Sequence, residues 1–96
     1  AGVSEVGDGS YIVEGSVTIR DLNRQFDWSL PDDDASTVAG LVLYEARLIP
    51  EVGQAFNVHG FTIKVLERQR LQITKLQIWP DQVLERPGSE EVGDAR

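Results

Sequence analysis

The chain contains one histidine, His59, and no cysteine. His59 precedes Gly60 in a segment typical of a hairpin turn, without a second histidine or a serine partner. A catalytic triad or a histidine-based metal site needs companions that this spacing does not supply. The absence of cysteine also excludes disulfides and thiolate metal sites. We therefore predict that His59 is a polar turn residue without a catalytic role.

Three consecutive aspartates, Asp32, Asp33 and Asp34, carry the oxygen ligands that Mg²⁺ and Ca²⁺ prefer. Their spacing differs from that of an EF-hand loop, and adjacent side chains on an extended chain point in different directions. Like charges this close also repel one another. We expect the three acids to be solvated near the positive N-terminal end of the following helix, and we predict no metal site.

Neither the glycines nor the tryptophans indicate an enzyme. Gly7, Gly9 and Gly15 are not followed by the Lys-Ser/Thr pair of a phosphate-binding loop. Trp28 and Trp79 are candidate anchors for a partner, although a tryptophan that caps the core is more common. Because no nucleophile is paired with a base, we predict a non-enzymatic chain without a cofactor.

The charge of the chain bears on its partners. The net charge is -7, with 16 acidic residues against 9 basic ones, and such a field opposes phosphate, so no nucleic-acid partner is expected. Four basic residues nevertheless gather within residues 64–75: Lys64, Arg68, Arg70 and Lys75. They form either a solvated strand face or an interaction surface. No apolar run approaches the ~18–20 residues of a membrane span, so this fragment is not expected to insert into a membrane.

The pattern of residues 11–26 predicts one strand and a short helix. Alternation from Tyr11 to Val17 indicates a half-buried strand, in which Gly15 marks a bulge or a close backbone approach. Thr18 and Asp21 then have the spacing of a capping box. One helical stripe follows, formed by Ile19, Leu22 and Phe26.

A second helix is predicted after the loop of residues 27–36. Asp34 or Ser36 is expected to cap it, and Pro50 is expected to end it. Its apolar spacing is kept by Val38, Leu41, Val42 and Leu48. Gly40 in its interior costs about 1 kcal/mol relative to alanine. We therefore expect Gly40 to permit close contact with a strand or with the other helix.

The pattern of residues 54–79 predicts a meander of three strands. They cover residues 54–58, 61–66 and 71–79, with turns at residues 57–60 and 67–70. In the last strand Leu71 and Ile73 share one parity, whereas Leu76 and Ile78 share the other, so a bulge is predicted near Thr74-Lys75. The expected fold is α+β, with two helices packed on one face of a small antiparallel sheet.

Three segments together resemble one known family. DGSYIVEGSVTIRDLNRQF, TVAGLVLYEARLIPEVGQAF and FTIKVLERQRLQITKLQI are similar, in order and spacing, to the transporter-associated domain of the CorC/HlyC family. The resemblance implies a transporter-associated domain at residues 8–79, after a flexible N-terminal segment at residues 1–7. Residues 80–96 are expected to form an acidic, partly disordered tail, with one helical turn around residues 82–85. The implied fold also resembles the C-terminal domain of some FAD-binding enzymes, from which flavin binding does not follow.

The resemblance further implies a cellular context. In that family the domain follows a transmembrane region and a pair of CBS domains in hemolysin-like or magnesium and cobalt efflux-type proteins. We therefore expect a regulatory domain on the cytoplasmic face of the bacterial inner membrane, acting through contact. The partner is the CBS pair, the membrane region or a second copy in a homodimer. The alternative is a sensor module that binds a nucleotide, a flavin or a divalent cation.

Overall fold

A computed structural model describes residues 2–81 of the chain. Its elements are β1 (Val3–Glu5), β2 (Tyr11–Glu14), α1 (Ile19–Phe26), α2 (Val38–Ala46), β3 (Ala55–Val58), β4 (Phe61–Gln69) and β5 (Gln72–Pro80). The strands form one antiparallel sheet in the order β1-β2-β5-β4-β3. This confirms the predicted α+β fold, with a sheet of five strands and two helices.

The N-terminal segment departs from the sequence prediction. Residues 1–7 were expected to be flexible, but Val3, Ser4 and Glu5 form β1 and pair with β2. Gly2 extends this pairing, because its carbonyl accepts a hydrogen bond from the Glu14 N–H at 2.8 Å. The strand has only three residues and one partly buried side chain, so its sequence carries little period-2 signal. The proposed division into residues 1–7, 8–79 and 80–96 stays a prediction.

The core lies between the helices and one face of the sheet. The sheet contributes alternate residues that are almost fully buried, namely Val13, Val58, Phe61, Ile63, Val65, Ile73, Leu76 and Ile78. The helices add Ile19 and Leu22 from α1 and Val38, Leu41 and Val42 from α2. An aromatic group closes one end, where the ring of Trp28 lies 4.9 Å from Phe26 and 5.1 Å from Phe61 between centroids. Trp28 is therefore a core residue.

Helix α1 begins at the cap that the sequence predicted. The Thr18 hydroxyl accepts a hydrogen bond from the Asp21 N–H at 3.1 Å, which is the predicted cap. The Asp21 carboxylate, however, accepts from Arg24 at 2.6 Å and does not complete a capping box. Beyond the helix, the Asn23 amide fixes the next loop by bonding both the N–H and the carbonyl of Leu30 at 2.9 Å.

The boundaries predicted for α2 were wrong at both ends. The cap is the Thr37 hydroxyl, which accepts from the Gly40 N–H at 3.1 Å, and not Asp34 or Ser36. The helix ends at Ala46 because Arg47 adopts a left-handed conformation with φ of 66°, several residues before Pro50. Leu48 consequently lies outside the helix and is 79% exposed. The structure thus removes Leu48 from the predicted apolar stripe.

The close contact expected at Gly40 occurs instead at Gly15. A Cβ atom on Gly15 would lie 2.0 Å from the Ile73 carbonyl oxygen and 3.0 Å from the Ala39 Cβ. A Cβ atom on Gly40 would meet only Thr37 Oγ1 at 3.2 Å and Ala35 Cβ at 3.3 Å. Gly40 therefore packs against its own cap and the preceding loop, not against a strand or the other helix. Gly15 is the position where α2 meets the sheet, and its carbonyl accepts from the Ala39 N–H at 3.1 Å.

The β4–β5 hairpin contains the predicted irregularity and a longer strand than expected. Its register skips one residue at Leu66 on β4 and one at Thr74 on β5, which confirms the bulge inferred from the change of parity. The predicted turn at residues 67–70 was wrong, since β4 continues to Gln69 and the turn contains Arg70, with φ of 56°, and Leu71. Leu71 is therefore 68% exposed and does not join the core. The predicted helical turn at residues 82–85, and the tail beyond Asp81, lie outside the described residues.

Candidate interaction surface

The four predicted basic residues occupy three different surroundings. Lys64 alternates with the buried Ile63 and Val65, so it lies on the sheet face turned away from the helices, here called the outer face. Lys75 lies on the same face, and its Nζ pairs with Glu67 at 3.5 Å. Arg70 sits in the β4–β5 turn.

Arg68 is turned toward the helix side by the register skip at Leu66. It is opposite the buried Ile73, and its Nη1 donates to the Pro50 carbonyl at 3.0 Å. Arg68 thus fixes the loop that follows α2. The structure places Lys64 and Lys75 together on the outer face and separates them from Arg68, so the interaction surface predicted from these four residues stays a prediction.

Among the apolar side chains on the outer face, the sequence singled out Trp79 as a candidate anchor for a partner, but not Ile12 or Leu66. Ile12, Leu66 and Trp79 lie there and are partly buried, although neither helix covers this face. They stand among Lys64, Gln77 and Thr62, with Ile12 opposite Gln77 and Thr62 opposite Trp79. Their signal in the sequence was the parity opposite to that of the core. The uncovered face therefore combines apolar area with polar groups, as contact surfaces do.

Oxygen atoms converge at the end of the outer face beside the β3–β4 turn. Thr62 Oγ1 lies 3.0 Å from Asn57 Oδ1 and 3.1 and 3.2 Å from the two carboxylate oxygens of Asp81. Asp81 is further held by its N–H, which donates to the Gly60 carbonyl at 2.9 Å. The Thr62 hydroxyl has a single proton for these contacts, so the group contains more acceptor oxygens than donor protons.

The buried Ser10, just before β2, links the outer-face residue Gln77 to Asp8 in the β1–β2 loop. The Ser10 hydroxyl accepts from Gln77 Nε2 at 2.9 Å and donates to Asp8 Oδ1 at 2.5 Å. The hydrogen bond from the Ser10 side chain, followed by that from its backbone N–H, holds the pKa of Asp8 below its ordinary value of 3.8. These bonds anchor the β1–β2 loop to β5.

A groove lies where Gly15 meets α2. It has a volume of about 650 Å³ and is lined by Ala39, Gly40 and Leu43 from α2 and by the exposed Leu71, with Glu14 and Lys75 among its polar residues. Thr74 also lines it, and the Thr74 hydroxyl is buried without a hydrogen-bond partner among the described residues. The groove is mainly apolar and holds no paired nucleophile and base.

The other candidate residues are dispersed. His59 lies in the β3–β4 turn with φ of 50°, and its Nε2 is 3.8 Å from Glu45 Oε2. Asp32 pairs with Arg20 at 3.6 Å, while Asp33 and Asp34 are exposed in the loop before α2. Within residues 2–81 no three His, Asp or Glu side chains come together in a way that could hold a metal ion.

Comparisons with known proteins were decisive for the family. The family model for the transporter-associated domain, CorC/HlyC, matches residues 4–82. The chain belongs to this family. Among its relatives, the UPF0053 inner membrane protein YfjD of Escherichia coli is 35% identical over 78 residues, which are 81% of this chain and 18% of that protein. The magnesium and cobalt efflux protein CorC of Vibrio cholerae is 25% identical over 76 residues, 79% of this chain and 26% of that protein.

Solved structures of this family share the fold. A conserved protein of unknown function from Haemophilus influenzae superposes with a TM-score of 0.79 at 34% identity, over 83% of this chain and 99% of that one. A CorC/HlyC transporter-associated domain of a Xylella fastidiosa hemolysin, in complex with Mg²⁺ and Mn²⁺, gives a TM-score of 0.73 at 25% identity, over 83% and 98% of the two chains.

The chain therefore spans roughly a fifth to a quarter of the curated relatives described above. None of the helices in the described part of the chain is long and apolar enough to cross a membrane.

Proposed function

We propose that this chain is a non-catalytic regulatory domain of a larger bacterial membrane protein, and that it modulates ion transport by contact. Family membership supports a transporter-associated role, and the relatives include an inner membrane protein and a magnesium and cobalt efflux protein. The proposed partners are the CBS domain pair and the transmembrane region of the parent protein. The domain would lie on the cytoplasmic face of the inner membrane.

The outer face of the sheet is the observation that carries this proposal. An antiparallel sheet with one face on the core usually exposes polar side chains on the other. Here Ile12, Leu66 and Trp79 interrupt that polarity, with Lys64 and Gln77 between them in the strand register. An aromatic side chain surrounded by hydrogen-bonding groups is typical of a binding hot spot. We assign contact with the parent protein to this face.

Binding of the CBS pair by matched leucine variants tests the assignment. Leu66 lies on the outer face, whereas the exposed Leu48 lies in the loop after α2. We expect Leu66→Asp to weaken binding at least about tenfold in titration calorimetry, because a carboxylate would be desolvated in the contact. Leu48→Asp should change affinity less than about twofold. Loss of binding only in Leu48→Asp would place the contact on the helix side, and equal melting temperatures would show that both variants fold.

A divalent-cation module is the second candidate function. It is favoured by the related Xylella domain, which was solved with Mg²⁺ and Mn²⁺. In this chain Asn57, Thr62 and Asp81 converge through oxygen atoms, which suit hard cations. The fit is partial, since Asp81 is the single carboxylate of the group and no set of three His, Asp or Glu side chains forms among the described residues.

Thermal shift measurements separate the two candidates. Under the cation hypothesis, Mg²⁺ or Co²⁺ at near-physiological concentration raises the melting temperature by several degrees. Asp81→Asn removes that rise, and Asp33→Asn, in the loop before α2, retains it. Under the contact hypothesis neither cation, adenine nucleotides nor FAD raises the melting temperature. Light scattering on the isolated domain tests the remaining partner, a second copy.

A further inference from the structure

The exposed apolar side chains of the domain gather at one end. Of the large hydrophobic residues that are exposed within residues 2–81, all but Val6 lie in the last turn of α2, the loop after it or the β4–β5 turn. They are Tyr44, Leu48, Val52 and Leu71. Single exposed apolar residues are ordinary on a surface, whereas a group of them marks a contact site. We call residues 44–53 and 66–72 together the hairpin end.

Arg68 ties the two parts of the hairpin end together. Its Nη1 donates to the Pro50 carbonyl at 3.0 Å, so the loop after α2 lies against the distal part of β4. Leu48 and Val52 are each two residues from Pro50, and Leu71 is three residues from Arg68. Because three residues span at most about 11 Å, these apolar side chains surround one region.

The hairpin end projects beyond the rest of the sheet. Pairing of β2 with β5 stops at Glu14–Lys75, and pairing of β3 with β4 stops at Ala55–Lys64. Strands β4 and β5 continue past both points to their turn. The turn can therefore meet a flat surface that β2 and β3 do not touch.

The hairpin end is balanced in charge, although the chain is acidic. The net charge of the chain is -7, but the hairpin end holds three arginines and three acids. Two of these acids have partners, since Glu67 pairs with Lys75 at 3.5 Å and Glu45 lies 3.8 Å from His59. Charges more than about 8 Å away are largely screened at physiological ionic strength, so the local balance decides what this end can approach.

Two exposed arginines stand directly beside the exposed leucines. Arg70 precedes Leu71 in the β4–β5 turn, and Arg47 precedes Leu48 after α2. The guanidinium carbon of Arg47 lies 6.0 Å from the centre of the Tyr44 ring. Guanidinium groups bind phosphates through paired N–H donors, and tyrosine and leucine suit the boundary between lipid headgroups and acyl chains. The two Arg-Leu pairs therefore match the chemistry of an anionic lipid surface.

We propose that the hairpin end rests on an anionic lipid membrane, with Leu48 and Leu71 at the headgroup boundary and Arg47 and Arg70 on lipid phosphates. This contact is peripheral and needs no membrane-spanning helix. One domain binds weakly in this way, and tethering to a membrane-embedded parent raises the effective concentration of the surface. Only that tethering rests on the proposed function.

Co-sedimentation of the 96-residue chain with lipid vesicles tests the contact. We expect partition onto phosphatidylglycerol vesicles to exceed partition onto phosphatidylcholine vesicles by about tenfold, and to fall as salt is added. Leu71→Asp should lower the partition onto phosphatidylglycerol at least about fivefold. The matched control is Val6→Asp, which alters an exposed apolar residue of the β1–β2 loop and should change it less than about twofold.

An arginine pair separates the phosphate contact from general charge. Arg70→Gln should reduce the preference for phosphatidylglycerol about fivefold, because one guanidinium is lost from the contact. Arg20→Gln removes the same charge from α1, where Arg20 pairs with Asp32, and should retain the preference. Equal melting temperatures of the four variants would show that each is folded.

A gadolinium-bearing lipid in the same vesicles locates the contact on the unaltered chain. We expect it to broaden the amide signals of Leu48, Val52, Arg70 and Leu71, and not those of outer-face residues such as Gln77.

The remaining outcomes overturn the proposal. Absence of partition, or equal partition onto both vesicle types, excludes an anionic lipid surface as the occupant. Broadening centred on the outer face, or equal losses in Leu71→Asp and Val6→Asp, excludes the hairpin end. If Leu71→Asp weakens binding of the CBS pair and leaves partition unchanged, the hairpin end contacts protein instead. Failure of vesicle binding alone leaves the outer-face contact with the CBS pair intact.

Discussion

At the scale of single residues, the sequence indicates which glycines carry constraints more readily than it identifies their neighbours. Gly40 stands out because it interrupts a helix, yet its neighbours are its own cap and Ala35. Gly15 was expected to mark a bulge or a close approach, and it is a close approach to the Ile73 carbonyl. The partner lies 58 positions away in the sequence, and local spacing contains no information about it.

Alanine substitutions at these two glycines should have very different effects. Gly15→Ala would drive a methyl group into the Ile73 carbonyl and should reduce the free energy of unfolding by about 3 kcal/mol or more. Gly40→Ala gains helix propensity, but its methyl group would lie 3.2 Å from Thr37 Oγ1 and 3.3 Å from Ala35 Cβ, which must shift by a few tenths of an ångström. Because these two effects oppose each other, the net change should stay within about 1 kcal/mol. Urea denaturation of both variants measures the difference. Similar destabilisation by both would contradict the assignment of Gly15 as the contact between α2 and the sheet.

The cap of α2 gives a second residue-scale prediction. Thr37→Ala removes the hydroxyl that accepts from the Gly40 N–H and should cost about 1 kcal/mol. Ser36→Ala is the matched control, because Ser36 contributes its backbone carbonyl to the Ile19 N–H and this group is retained. Thermal unfolding should rank Ser36→Ala close to the unaltered chain, and the reverse ranking would show that Ser36 is the cap.

Asp8 gives a prediction about pH. Because its pKa is lowered in the folded state, its contribution to stability is present above the unfolded pKa and is lost as pH falls through the lower, folded pKa. Ser10→Ala should raise the pKa of Asp8 toward 3.8, since it removes the side-chain hydrogen bond that is the largest cause. An NMR titration of the Asp8 carboxyl follows this change. An unaltered pKa in Ser10→Ala would exclude the serine hydroxyl as the cause.

At the scale of elements, the alternation of apolar residues along a strand predicted the structure better than the composition of the expected turns did. The change of parity between Ile73 and Leu76 predicted a bulge, since a strand cannot change face without an extra residue. The charged run Glu67–Arg70 suggested a turn, yet β4 continues through most of it because the neighbouring β5 pairs with it. β1 was missed because three residues at a sheet edge carry too short a pattern.

The bulge also leaves a polar group that can be tested. The Thr74 hydroxyl is buried and has no hydrogen-bond partner among the described residues. Thr74→Val keeps the shape and removes that group, so stability should be unchanged or increase by up to about 1 kcal/mol. Thr62→Val is the contrasting variant, because it removes contacts to Asn57 and Asp81 and should destabilise the domain. Chemical denaturation that finds Thr74→Val the more damaging would contradict the unpaired state of this hydroxyl.

At the scale of the whole molecule, the arrangement of the sheet decides which residues can act together. The basic residues of 64–75 form one group in the sequence, but the register skip at Leu66 turns Arg68 toward the helix side, away from Lys64 and Lys75. Conversely, Ile12 and Trp79 are far apart in the sequence and lie on one face because β2 pairs with β5. Strand order is a long-range property, so the sequence predicted the fold class and core but not this surface.

The proposed action of the domain is contact through the outer face. Its most direct test is an NMR titration of the labelled 96-residue chain with the CBS pair of its parent protein. We predict that the perturbed amides fall on outer-face positions of β2, β4 and β5, around Ile12, Lys64, Gln77 and Trp79. Perturbations confined to α1, α2 and the loop after α2, or a spectrum that does not change, would contradict the account.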